Sequence, residues 1–168
     1  MSYPSLVILA GFMGTGKTAV GQALARALKY SFVDSDREIE AREVRSVQKI
    51  FETDGEAHFR KLEQETIFRL SEKDQTVLSV GGGAILNPKT FEHLNHKGKL
   101  ILLTASVDEI TKRLGNENER PLLKGGDRKK KIQKLMKDRE SIYSKIEIQI
   151  DTTGLAIDQV VEAILKKM

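Results

Sequence analysis

The stretch Leu6-Val7-Ile8-Leu9-Ala10-Gly11-Phe12-Met13-Gly14-Thr15-Gly16-Lys17-Thr18-Ala19-Val20-Gly21-Gln22-Ala23-Leu24-Ala25-Arg26-Ala27-Leu28 decides the fold. Its centre, 11–18, reads G-x-x-x-x-G-K-[ST], the phosphate-binding P-loop pattern. The glycines let successive backbone N–H groups turn inward around phosphate oxygens. The helix that follows adds its free N-terminal N–H groups and the positive end of its dipole. Residues 6–10 form the continuous apolar run that a buried strand requires. Val20, Leu24, Ala27 and Leu28 recur on one helical face. Gly14, Thr15, Gly16, Lys17, Thr18 and Ala19 are the expected nucleotide contacts. Lys17 is placed to reach the β- and γ-phosphates, and the Thr18 hydroxyl to ligate Mg²⁺. This stretch makes the chain a binder of nucleoside triphosphate.

Outward from it, apolar runs at 6–10, 32–33, 77–80, 100–103 and 146–150 alternate with helical patterns. Most are continuous, as in strands covered on both faces; 146–150 alternates and is expected at an edge or with one wet face. Asn87-Pro88 reads as an N-cap with proline at the first helical position, and Gly98 as the stop. Ser106-Val107-Asp108-Glu109 reads as a capping box ahead of a helix ending at Gly115. The last helix is expected to bury Ile157, Val160, Val161, Ile164 and Leu165. Such alternation predicts a three-layer α/β/α fold with a parallel sheet, in one domain spanning 1–168.

The 168 residues suffice for one core and hardly for two. Cysteine is absent, which excludes disulfides and thiolate metal sites and fits a reducing compartment. The apolar run 6–10 is too short to span a bilayer, so a soluble, cytoplasmic protein without a membrane partner is expected. A net charge of +4 is modest, and Arg128-Lys129-Lys130-Lys131 reads as a solvated helix face rather than a nucleic-acid contact.

Ligands in parallel α/β folds sit at the carboxyl ends of the strands. After the second strand comes Asp34-Ser35-Asp36, either a turn-forming Asx pair or two carboxylates at the ligand edge. In the second reading one carboxylate holds a magnesium-bound water, and the other orients or deprotonates an attacking hydroxyl. After the third strand comes Gly81-Gly82-Gly83, whose entropic cost is best explained by close approach of backbone to a ligand. Arg60 and Glu63 lie three apart on a helix opened by Gly55; alone, that spacing describes a solvated ion pair. The polar segment 116–127, with Arg120-Pro121-Leu122-Leu123 and Gly125-Gly126, reads as a mobile lid whose arginine reaches transferring phosphate. Arg139 follows on a basic helix, with Tyr143 one turn later. His58, His93 and His96 show no metal-ligand spacing.

Taken in order, these motifs resemble shikimate kinase, a P-loop small-molecule kinase of the nucleoside-monophosphate-kinase-like group, over essentially the whole chain. The resemblance rests on the P-loop, Asp34-x-Asp36, Phe51…Gly55-Glu56-x-x-Phe59-Arg60, Gly81-Gly82-Gly83, Arg120-Pro121-Leu122-Leu123 and Arg139-x-x-x-Tyr143. It implies a five-stranded parallel sheet in order 2-3-1-4-5 and transfer of the ATP γ-phosphate to the shikimate 3-hydroxyl by a monomer. It further implies that Asp36 holds the acceptor hydroxyl as general base and that Asp34 acts on the magnesium shell through water. Arg60 and Arg139 clamp the substrate carboxylate, with Glu63 orienting Arg60. Gly82 and Gly83 line the substrate site within a binding segment of about 35–63 and the glycine loop, and Phe51 and Phe59 form its apolar wall. Arg113 flanks adenine, and Arg120 is the lid arginine. The alternatives are a sibling such as a gluconate kinase, or a catalytically silent nucleotide-binding homologue.

Overall fold

In the computed structural model, which describes residues 3–115 and 127–168, the chain is built around β1 (Leu6–Gly11), a strand buried at every position. β3 (Thr76–Ser79) and β4 (Lys99–Thr104) pair with it on either side, both parallel. β2 (Ser31–Asp34) and β5 (Ile148–Asp151) close the two edges, giving the order β2-β3-β1-β4-β5. This is the expected topology. Register aligns the ligand-facing ends: Ser79 pairs with both Leu9 and Asp34.

Alternation along the strands feeds two cores. Ile8, Ala10, Leu78 and Leu102 pack on one face against Ile67 and Leu70 of α3 (Val47–Leu70) and Leu94 of α4 (Pro88–Lys97). Val7, Leu9, Ile101 and Leu103 pack on the other against α1 (Lys17–Leu28) and α7 (Ile157–Lys167). Each fully buried Leu or Ile contributes about 1.5–3 kcal/mol, so both faces hold the sheet rigid beneath the site.

Asn87 accepts from Lys89 N and Thr90 N with Pro88 at the first helical position, and Gly98 ends α4, as the sequence indicates. β5 shows the expected edge alternation, with Ile148 and Ile150 in and Gln149 and Asp151 out. It begins only at Ile148, because Ile146 N donates to Tyr143 O and closes a turn behind α6 (Arg128–Tyr143). Two apolar stripes shift. α1 buries Val20, Gly21, Leu24 and Ala25 and leaves Ala27 exposed, since Gly21 admits the Phe32 ring so closely that a Cβ there would stand 2.4 Å from it. Ile157 is 45% exposed because it starts α7 while the chain is still arriving from an exposed turn. Residues 116–126, which include Arg120 and nearly all of the expected lid, lie outside the described residues. Asp127 caps α6 by accepting from Lys130 N.

Candidate active site

Gly16, at φ 91°, turns the chain into α1, so that Lys17 and Thr18 occupy the first helical turn. Lys17 Nζ donates to the carbonyls of Gly11 and Phe12 at 2.8 and 3.0 Å, which sets the ammonium inside the loop. Across the gap, Thr18 Oγ1 donates to Asp34 Oδ2 at 3.2 Å. The other oxygen, Asp34 Oδ1, accepts from Asp36 N and Arg37 N as the N-cap of α2 (Ser35–Glu43). Asp34 therefore caps a helix with one oxygen, as an Asx turn former does, and faces the P-loop threonine with the other.

The three glycines after β3 each make room for a different charged side chain. A Cβ on Gly81 would lie 2.5 Å from Glu63 Oε1 and 3.0 Å from Asp36 Oδ1. One on Gly82 would lie 3.1 Å from Arg139 Nη1, and one on Gly83 2.6 Å from Arg60 Nη2. Real Cβ atoms do not show the shorter of these approaches, so a side chain at 81 or 83 would displace Glu63 or Arg60 from its present place.

Arg139, only 4% exposed, donates through Nη1 to Gly82 O at 3.0 Å and lies over the Phe12 ring at 5.0 Å. The Tyr143 hydroxyl donates to the same Gly82 carbonyl at 2.8 Å, and burial raises its pKa. Arg60 Nη1 donates to Glu63 Oε2 at 2.7 Å while its outer edge meets Glu56. This pair is no solvated surface contact, because Glu63 is 3% exposed and its Oε1 accepts no hydrogen bond among the described residues. Burial pushes the Glu63 carboxyl above its usual range, against the pull of Arg60 and Arg139. Burial also works against the Arg60 charge, but Glu63 and Glu56 outweigh it and hold the guanidinium protonated. Phe51 and Phe59 stack obliquely at 4.7 Å beside Arg60.

Together these groups line one open cavity of about 850 Å³. Its nucleotide end has Gly14, Gly16, Lys17, Thr18 and Ala19, and its far end Asp36, Phe51, Phe59, Arg60, Glu63, Gly82, Gly83 and Arg139, with Asp34 between. Two of the expected contacts lie off the cavity wall. Thr15 is buried beneath the loop, and its hydroxyl donates to Phe12 O. Arg113, on α5 (Val107–Leu114), lies outside the loop and donates to Gly14 O and Thr152. Sequence reasoning missed Thr152, Arg37 and Ser35. Ser35, fully buried, accepts from Gly81 N at 3.3 Å, and its place between two aspartates was the available signal. The capping box of α5 is half formed. Ser106 Oγ accepts from Glu109 N, but Ser106 N turns to Thr153 Oγ1 and the Glu109 carboxylate to Arg113.

A family model described as shikimate kinase matches residues 13–168. The shikimate kinase of Pelotomaculum thermopropionicum is 44% identical over 159 residues, 95% of this chain and 92% of that one. A solved structure of shikimate kinase from Acinetobacter baumannii in complex with shikimate superimposes with a TM-score of 0.94 at 34% identity, covering 99% of this chain and 93% of that one. A gluconokinase from Sinorhizobium meliloti shares the fold at 16% identity and a TM-score of 0.62.

Proposed function

The chain belongs to the shikimate kinase family, and we propose that its cavity transfers the γ-phosphate of ATP to the 3-hydroxyl of shikimate, giving ADP and shikimate 3-phosphate. The P-loop amides and Lys17 hold the triphosphate with its terminal group toward the far end of the cavity. Arg60 and Arg139 receive the shikimate carboxylate by charge-assisted hydrogen bonds, which fix the ring against Phe51 and Phe59. Glu63 holds Arg60 to that task from inside. The backbone of Gly82 and Gly83 closes the ring's other side. Asp36 is left beside the acceptor hydroxyl, where it orients the oxygen and takes its proton as the phosphoryl group arrives. In a loose phosphoryl transfer, positioning and charge stabilisation carry most of the catalysis.

Mg²⁺ fits this arrangement. Thr18 Oγ1 and Asp34 Oδ2 are hard oxygen donors 3.2 Å apart at the phosphate end. No cluster of three metal-ligating side chains occurs among the described residues, as suits an ion held by one or two protein oxygens together with phosphates and waters. Thr18 would ligate it directly and Asp34 through water, and the ion would neutralise charge on the β- and γ-phosphates. Arg113 is assigned to flank the adenine.

We read the protein as a single-domain monomer, with the phosphate end and the acceptor end in one cavity. No described helix is long and apolar enough to cross a membrane. Lys129 and Lys130 of the basic helix pair with Asp108 and Asp127, which supports reading this run as a solvated face and not a nucleic-acid contact.

The observation that carries the assignment is the convergence of Asp36, Arg60, Glu63 and Arg139 on the three glycines. ADP release with ATP, Mg²⁺ and separate acceptors (shikimate, quinate, gluconate, nucleoside monophosphates) tests it. Turnover is expected with shikimate far above the others, and preference for gluconate or a nucleotide would overturn the assignment.

A further inference from the structure

The Arg113 guanidinium is held in its own plane from several sides. Nε donates to Glu109 Oε1 at 2.9 Å, Nη1 to Gly14 O at 3.3 Å and to Thr152 Oγ1 at 2.9 Å, and Nη2 to Thr152 O at 2.8 Å. Guanidinium N–H groups lie in the plane of the group, so these bonds occupy its edges and not its faces. Thr152 takes two of the four, one on its side chain and one on its backbone, and is itself 1% exposed.

The Thr152 hydroxyl also lies 2.9 Å from Thr104 O and 3.2 Å from Thr15 O. Its single proton is directed at these carbonyls, while its lone pairs receive Arg113. One buried hydroxyl thus ties together the end of β4, the P-loop and the last turn of α5. Closure of the strand end does not require it, because Thr152 N already donates to Thr104 O at 2.8 Å.

We propose that Thr152 is a positioning residue for nucleotide recognition: it holds Arg113 flat beside Gly14, so that a guanidinium face and not its N–H groups meets the nucleobase. This rests on the assignment of Arg113 to the adenine. The base is then gripped by stacking and cation–π attraction, and its pose relative to the phosphates is set by a residue that touches neither.

Calorimetric binding of ATP and of inorganic tripolyphosphate, which shares the phosphates and lacks the base, tests this on wild type, Thr152→Val, Thr152→Ser, Thr152→Ala, Arg113→Lys and Arg113→Ala. Valine keeps the shape and removes the hydroxyl. It is expected to weaken ATP binding about tenfold, the equivalent of one hydrogen bond to a charged group. Tripolyphosphate binding stays unchanged, and Thr152→Ser restores ATP binding. Arg113→Lys, which keeps the charge but loses the planar fork, behaves like Thr152→Val, and Thr152→Ala, which also lacks the hydroxyl, carries the test if the valine variant does not fold. Equal weakening of both ligands would overturn the proposal by showing that Thr152 only supports the P-loop, and so would unchanged ATP binding in Thr152→Val and Arg113→Lys. If Arg113→Ala alone weakens ATP binding, the role of Thr152 falls and that of Arg113 stands. If Arg113→Ala changes nothing, the adenine assignment falls first.

Discussion

Arg139 and Gly82 are joined by a hydrogen bond of 3.0 Å from guanidinium Nη1 to carbonyl oxygen, and a Cβ on Gly82 would lie 3.1 Å from that same nitrogen. The arginine proposed to face the substrate and the backbone proposed to close the ring site are therefore tied together, with the Tyr143 hydroxyl on the same carbonyl as a second brace.

Gly82→Ala should disrupt that unit. The added methyl would also meet Gly11 O at 3.0 Å, a backbone atom that cannot swing aside. Displacement of a positioning group by a fraction of an ångström to one ångström costs up to about 100-fold in rate, so kcat/KM for shikimate should fall by about tenfold or more. ATP binding measured by calorimetry should change far less. Unaltered shikimate kinetics would show that the close approach is not needed.

Arg60→Ala and Arg139→Ala should each weaken shikimate binding by about 1.5–3 kcal/mol, the range for a hydrogen bond to a charged group. Titration calorimetry with shikimate and with ATP separates the two ligands. Loss of ATP binding with shikimate binding retained would reverse the assignment of these arginines.

The two aspartates separate by substitution with asparagine. Asn is as good an N-cap as Asp, so Asp34→Asn preserves the start of α2 while removing the charge and the acceptor that faces Thr18. Its defect should be a raised magnesium requirement in steady-state assays. Asp36→Asn should lower turnover by about 10²–10⁴-fold, the usual span for a lost general base, with Mg·ATP binding little altered. A magnesium effect confined to Asp36→Asn would exchange the roles.

Glu63 predicts a pH dependence of stability. Burial raises its folded pKa above the ordinary value of 4.5, so the unfolded chain gives up this proton first. Its contribution is complete below about pH 4.5 and declines as pH rises through the folded pKa. Glu63→Gln cannot ionise, so the Tm of wild type relative to this variant should fall across that window. A difference that stays flat or grows with pH would show that Arg60 and Arg139, not burial, set the state of Glu63.

The P-loop, the capped helix after Asn87 and the alternation of β5 were legible because each is written in neighbouring residues whose local geometry is fixed by spacing. Sheet order was legible only through the resemblance, since strand periodicity carries no information about partners. The glycine run was read as a close approach of backbone to a ligand; what the fold brings to the successive glycines is the side chains of Glu63, Arg139 and Arg60, which no local spacing could announce. An i, i+3 spacing places Arg60 beside Glu63, yet it cannot tell that β3's loop covers the pair and buries the acid. Arg113 and Thr152 are 39 residues apart, and their contact had no local signature. The capping box failed for a related reason, because Thr153 from beyond β5 and Arg113 compete for the groups that a local motif would pair.

The most direct measurement is a crystal structure of the protein with shikimate and ADP bound. The shikimate carboxylate should lie within hydrogen-bond distance, about 2.7–3.2 Å, of both Arg60 and Arg139, with the 3-hydroxyl on Asp36 and facing the P-loop. A ring bound with its carboxylate away from both arginines, or with its 3-hydroxyl turned from Asp36, would contradict the proposed site.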